Sequence, residues 1–173
     1  MNNIFAKFWH IIELICQTVL KICSHILKIK LTAEKEATII QFIKFGIVGL
    51  SNTIISYVLY LASLIIFQKL KILPHSDYLV AQLIAFFLSV LWAFYWNNRF
   101  VFAKTAGQTR IWWKALMKTY ISYSFTGLFL NSILIFFWVR ICYISEYIAP
   151  IINLLISVPL NFTINKLWTF KNN

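Results

Sequence analysis

The chain has 173 residues, 61% of them hydrophobic and 12% charged, with a formal net charge of +11 at pH 7. It is too apolar for an ordinary soluble domain of its length, where about a quarter of residues carry charge. A basic excess of this size also raises a nucleic-acid partner, but the placement of the cations points to membrane topology and no nucleic acid is expected.

The first predicted element runs from about Ile4 to Leu31. Its apolar residues are interrupted by Lys7, His10, Glu13, Gln17, Lys21, Ser24 and Lys28, and those steps of three and four put the polar groups on one stripe of a helix. The other face carries Ile, Leu, Phe8 and Trp9, which predicts an amphipathic helix lying in the membrane interface or docked on a partner subunit. A polar stretch, Thr32 to Thr38, follows, and Glu34, Lys35 and Glu36 mark it as solvated. Residues 1–38 are therefore expected to form an interfacial helix and linker, and residues 39–173 a transmembrane domain. No compact apolar run with a small-residue cleavage site opens the chain, so a cleavable signal peptide is not expected.

Four uncharged runs follow: Phe45 to Gln68, Tyr78 to Asn98, Thr119 to Val139, and Tyr147 to Asn165. Each is long enough to cross a hydrocarbon core of about 30 Å as a helix of roughly 20 residues. Helices are required, because backbone groups facing lipid must be satisfied within their own segment. Thirteen of the sixteen Lys and Arg residues precede or include Lys44, lie between Arg99 and Lys118, or are Lys166 and Lys171. This alternation is the positive-inside pattern and predicts cytoplasmic N- and C-termini and a cytoplasmic middle loop. Pro74 and Ser145 are turn signals in the two other loops, so the helices are predicted to pair as two hairpins.

The hairpins resemble each other. Aligning Ser89 with Ser157 superposes Ala81 on Ala149, Val90 on Val158, Phe94 on Phe162, Asn97 on Asn165 and Phe102 on Phe170, with Phe100 on Trp168. Both hairpins start inside, so these are parallel repeats about an axis along the membrane normal. Gly46, Gly49 and Gly127 are expected to allow close helix approach. Cys16, Cys23 and Cys142, and His10, His25 and His75, have no metal-ligand spacing; neither a metal nor a cofactor is predicted.

Three motifs carry a family resemblance: Lys44-Phe45-Gly46-Ile47-Val48-Gly49 with Asn52, Asn97-Asn98-Arg99-Phe100-Val101-Phe102, and Asn165-Lys166-Leu167-Trp168-Thr169-Phe170. Over about Phe42 to Lys171 the chain resembles the GtrA-like family, small four-helix membrane proteins of bacterial surface-polysaccharide glycosylation that include the GtcA teichoic-acid proteins. The second helix-end motif follows the family pattern of Asn, a basic residue, any residue, an aromatic, any residue and Phe. The first departs from it, with Asn98 at the basic position and Arg99 one place later. The resemblance implies translocation (flipping) of an undecaprenyl-phosphate-linked sugar across the bacterial cytoplasmic membrane, for polysaccharide or teichoic-acid glycosylation. The implied partners are a polyprenyl-phosphate-linked sugar, membrane lipids and a membrane glycosyltransferase, and a narrow four-helix bundle suggests a homo-oligomer.

Such a head group needs a polar track. Asn153, Ser157, Asn161 and Asn165 recur every fourth residue, a step that turns by only about 40° on a helix of 3.6 residues per turn, and Pro159 lies beside them. Asn52, Thr53 and Ser56, then Gln82, Ser89 and Asn97, then Ser122, Thr126, Asn131 and Ser132 add polar groups from the other helices. Interhelical hydrogen bonding is the competing role for all of them. Arg99 and Lys166, beside Asn97, Asn98 and Asn165, can bind phosphate through charge-assisted hydrogen bonds or anchor the helix ends by snorkelling; Lys44 is a weaker third candidate. The candidate substrate-binding set is Asn52, Asn97, Asn98, Arg99, Asn153, Asn161, Asn165 and Lys166. Trp92, Trp96, Phe100, Trp112, Trp113 and Trp168 read as interfacial aromatics, with sugar stacking open to Trp96 and Trp168.

Two other functions compete. A proton-coupled small-molecule exporter needs an intramembrane acid, and none of the four runs contains Asp or Glu. An accessory subunit that recruits a glycosyltransferase through the N-terminal helix needs no transport at all. An enzyme is not expected, for there is no nucleophile constellation, acid–base pair or phosphate-binding glycine loop.

Overall fold

The structure is a computed structural model that describes residues 2–28, 30–71, 76–103, 109–145 and 148–171. Pro74, His75 and Glu146 lie outside the described residues. The fold is all-helical: α1 (Asn2–Ile26), α2 (Ala33–Leu70), α3 (Asp77–Trp96), α4 (Trp112–Ser124), α5 (Asn131–Phe136) and α6 (Ala149–Ile164). Four stretches are long and apolar enough to span a bilayer: Ala33–Leu70, Asp77–Val101, Trp112–Ile141 and Ile151–Thr169. The protein is therefore a multi-pass membrane protein with an additional N-terminal helix. The chain forms two compact units, Met1–Phe45 and Gly46–Asn173.

In the first unit α1 stops at Ile26, five residues short of the expected end. Lys28 takes a left-handed conformation, φ 52°, and the Leu27 and Lys28 amides donate back to the carbonyls of Cys23 and His25. That reversal closes the helix as a glycine C-cap would. The stretch Thr32 to Thr38 is exposed or half-exposed, as expected, but it is helical from Ala33. Thr32 starts α2: its hydroxyl accepts from the Lys35 amide and its carbonyl from the Glu36 amide, and Glu34 and Glu36 stand in the favourable first turn. At 38 residues α2 is about 57 Å long at 1.5 Å per residue, well beyond a hydrocarbon core of about 30 Å. Its charged first three turns are part of that excess.

The face of α1 that is least exposed is not the apolar one. It runs through Trp9, Glu13, Cys16, Leu20 and Ser24, so it mixes buried Trp9 with members of the polar stripe. Glu13 forms an ion pair with Lys44, whose ammonium also lies 5.8 Å from the Trp9 ring centroid. The large apolar residues Phe8, Ile11, Leu14, Ile15, Val19 and Ile22 stay exposed. Lys44, the weaker phosphate candidate, is buried and committed to Glu13.

In the second unit the core is built by α3, α4 and α6. Ala81, Ala85, Ser89, Val90, Ala93 and Phe94 give α3 a buried stripe at steps of three to four, and small residues there let neighbouring helices approach. From Gly49 to Leu70, α2 contributes no buried residue. A Cβ built on Gly46, Gly49 or Gly127 would meet nothing within 4 Å, so the expected close approach at these glycines does not occur; they face open space. The third span is longer than its uncharged run, starting at Trp112, and π-helical turns at Phe125–Leu130 and Phe137–Ile141 interrupt it.

The repeat is visible as geometry. Both α3 and α6 end by widening into a π turn, Asn97–Val101 and Asn165–Thr169, and the next residue's amide donates to the asparagine carbonyl at 2.8 Å in each copy, Phe102 to Asn97 and Phe170 to Asn165. Phe102 and Phe170 stack with centroids 4.9 Å apart and planes 12° apart. Each also meets the other copy's helix: Phe170 lies 5.9 Å from Phe94, and Phe102 lies 5.9 Å from Phe162. Reciprocal pairs of this kind are what a two-fold relation between hairpins requires.

Candidate functional site

The two π turns bring the helix-end motifs to one end of the second unit. Widening the helix at Asn97 and Asn165 aims both side chains inward, where each is 0% exposed. The Asn97 amide nitrogen donates to the Tyr123 hydroxyl at 3.3 Å. Asn165 donates to the Asn161 carbonyl and side-chain oxygen, both at 2.8 Å, and more weakly to Ser122 at 3.4 Å. The Ser122 hydroxyl itself donates to Asn161 Oδ1 at 3.1 Å. Consecutive residues of α4, Ser122 and Tyr123, thus serve the two equivalent asparagines.

Further along α6, Asn153 is 1% exposed and donates to the side-chain oxygen and carbonyl of Asn131, at 2.7 and 3.1 Å. The every-fourth-residue stripe therefore exists as a structure, and it is closed. Its amides are zipped to α4 and α5 by interhelical bonds. Ser157 is half-buried, and α6 continues through Pro159 to Ile164.

The zipper leaves polar atoms over, four of them amide oxygens. The side-chain oxygens of Asn97, Asn153 and Asn165, and that of half-buried Asn52, are sealed from solvent and accept no hydrogen bond among the described residues. A buried acceptor without a donor costs about 1–3 kcal/mol. Every nitrogen of the three buried amides is used, whereas their oxygens wait for donors.

Arg110, which sequence reasoning did not single out, organises the end of this seam. One guanidinium nitrogen donates to Asn98 Oδ1 at 2.8 Å and to the Phe102 carbonyl at 2.9 Å; the other donates to the Phe170 carbonyl at 2.6 Å. The same group lies 5.2 Å from the Phe170 ring centroid. One planar fork therefore clamps the last carbonyls of both repeats, a geometry that an ammonium cannot supply. Burial pulls its pKa down from the ordinary arginine value, which is high enough that the charge persists. The departure of the first motif from the family pattern is explained here: Asn98, at the basic position, is the acceptor that receives Arg110. The sequence offers only an arginine in a basic loop as a cue. Tyr123 had no cue beyond its place next to Ser122.

The other cations stand outside the clamp. Arg99 is exposed, 5.6 Å from the Phe100 ring. Lys166 is half-exposed, 5.9 Å from the Phe162 ring, and Lys118 donates to the Trp168 carbonyl at 3.1 Å. Beside Arg99 a recess of about 380 Å³ is lined by Leu91, Phe94, Tyr95, Asn98, Arg99 and Trp112. It joins a cation and an amide to three aromatic walls. Trp112 is held edge-on against Phe94 and Trp113 and keeps nearly half of its surface open. Trp96 stacks on Phe100 instead, at 5.3 Å, and Trp168 carries Lys118 over its ring. Asn52 lies on α2, and no hydrogen bond links it to the other candidates among the described residues.

No curated protein and no solved structure matches the chain. The family model described as GtrA/DPMS, transmembrane domain, matches residues 44–170, which takes in all four spans from Lys44 onward, both repeat ends and the Arg110 clamp, and leaves out α1. With a match over most of its length, four spanning helices and paired Asn-led helix ends, this chain belongs to the GtrA/DPMS transmembrane domain family.

Proposed function

We propose that the protein translocates an undecaprenyl-phosphate-linked sugar across the bacterial cytoplasmic membrane, for glycosylation of a cell-surface polysaccharide or teichoic acid, with both termini cytoplasmic. The observation that carries this reading is the set of buried, donor-less amide oxygens of Asn97, Asn153 and Asn165. Sugar hydroxyls are the donors such oxygens lack. The prenyl tail stays in lipid throughout, and only the head needs a polar path.

In this reading Arg99 holds the phosphate at the mouth, Lys166 adds charge, and the recess beside Trp112 receives the sugar ring against its aromatic walls. The head then enters the seam by exchanging partners. The Asn153–Asn131 and Ser122–Asn161 bonds open, and the freed groups bind hydroxyls. Trading one neutral hydrogen bond for another is close to isoenergetic, so the exchange costs little net free energy. No covalent step is required, and the protein acts without catalysis. The unburied length of α2 from residue 49 to 70 fits a homo-oligomeric working unit.

The test is reconstitution of the purified full chain in liposomes containing undecaprenyl-phosphate-linked sugars, with head-group exposure measured on each leaflet. Sugar is expected to equilibrate between leaflets with the wild-type chain, and the double variant Arg99→Gln, Lys166→Gln is expected to return the rate to that of protein-free vesicles with insertion unchanged. A wild-type chain that moves no lipid-linked sugar would sink the reading and favour the glycosyltransferase-recruiting subunit.

A further inference from the structure

The reversal after α1 builds a second feature, independent of the translocation reading and outside the family match. Left-handed Lys28 turns the chain so that Lys30 and Leu31 come back beside the last turns of α1. Together with the first turn of α2 they enclose an open groove of about 800 Å³. Lys21, His25, Lys28 and Lys30 line it, facing one carboxylate, Glu36. None of these lysines forms an ion pair among the described residues; the pair in this unit joins Lys44 to Glu13. Three converging ammonium groups outnumber the single carboxylate; they repel one another and are relieved by an anion.

The surroundings specify the kind of anion. Leu20 and Leu31 form apolar walls of the same groove. Acyl chains cover such walls, while a soluble anion leaves them in water. We propose that this groove binds the phosphate of an anionic phospholipid head group, seating the end of α1 on the membrane with the acyl chains running out past Leu20 and Leu31.

The full-length protein in detergent micelles tests this, by native mass spectrometry of retained phosphatidylglycerol against phosphatidylcholine. Wild type is expected to retain phosphatidylglycerol selectively. The triple variant Lys21→Gln, Lys28→Gln, Lys30→Gln is expected to weaken retention on the order of a hundredfold, at about fivefold per lysine near an anionic surface. Lys69→Gln, an exposed lysine at the far end of α2 and outside both candidate sites, is expected to leave it unchanged. All four side chains are exposed, so these variants do not threaten folding. Equal retention of the two lipids, undiminished retention by the triple variant, or displacement of the lipid by equimolar inorganic phosphate would each overturn the assignment. None of these results bears on sugar movement through the second unit.

Discussion

The two hairpins end alike and begin differently. Their second helices, α3 and α6, both open into a π turn at a fully buried asparagine and close on a phenylalanine, and the two phenylalanines stack on each other. Their first helices have parted ways. The third span buries Ala115, Leu116, Thr119, Ser122 and Thr126 and supplies partners to both asparagines, whereas α2 buries nothing from Gly49 onward. Duplication produced two equivalent ends; α4 gives each asparagine one long bond, and Asn161, one turn earlier on α6, makes the second end the better satisfied. Asn165 donates to three acceptors and Asn97 to one.

The likeness of the ends is most directly broken at Arg110, which holds the carbonyls of Phe102 and Phe170 in one guanidinium. Arg110→Gln is expected to lower stability by about 3 kcal/mol, given about 1.5–3 kcal/mol for each charged hydrogen bond and partial solvation. Thermal unfolding of the purified protein reads this directly. Arg110→Lys is expected to recover less than half, because an ammonium lacks the planar fork. An unchanged melting temperature would mean that the two ends hold together without the clamp.

The difference in partners predicts a smaller effect inside the bundle. Asn165→Leu is expected to destabilise the fold by about 1–2 kcal/mol more than Asn97→Leu, since each has one long bond to α4 and Asn165 adds two at 2.8 Å to Asn161, with a net hydrogen bond worth about 0.5–1.5 kcal/mol. Parallel melts of the two variants provide the comparison, and equal losses would show that the Asn161 contacts do not favour one copy. In the liposome assay both variants are expected to lose sugar movement, because each removes a buried oxygen.

The smallest effect sharpens the contrast between the first helices. Gly46 and Gly49 lie in open space on α2, so Gly49→Ala is expected to leave the monomer unstrained and to raise stability by up to about 1 kcal/mol through helix propensity. If it lowers stability and shifts the protein to smaller particles on size-exclusion chromatography, α2 is covered by a second copy, as proposed for the working unit.

Much of this architecture was legible in the sequence because lipid imposes simple rules. Long uncharged runs must be helices, and a gapless match of Ala81, Phe94, Asn97 and Phe102 to Ala149, Phe162, Asn165 and Phe170 already marked the repeat. The stripe of Asn153, Asn161 and Asn165 was equally readable, since its period is that of the helix. The glycines misled, because spacing along one helix cannot say whether another helix lies opposite. The polar stripe of α1 was read correctly as a stripe, yet Glu13 within it is turned to Lys44, a contact 31 residues away in the chain.

What the sequence determined by itself is the set of rods and their repeated ends, properties of local composition and period. Only the tertiary structure decided which polar groups meet. It joined Arg110 to carbonyls 8 and 60 residues away, zipped α6 to α4 and α5, and left three buried amide oxygens without donors. Hydrogen bonds between helices depend on rotation and depth of side chains from distant segments, and no local pattern encodes those coordinates.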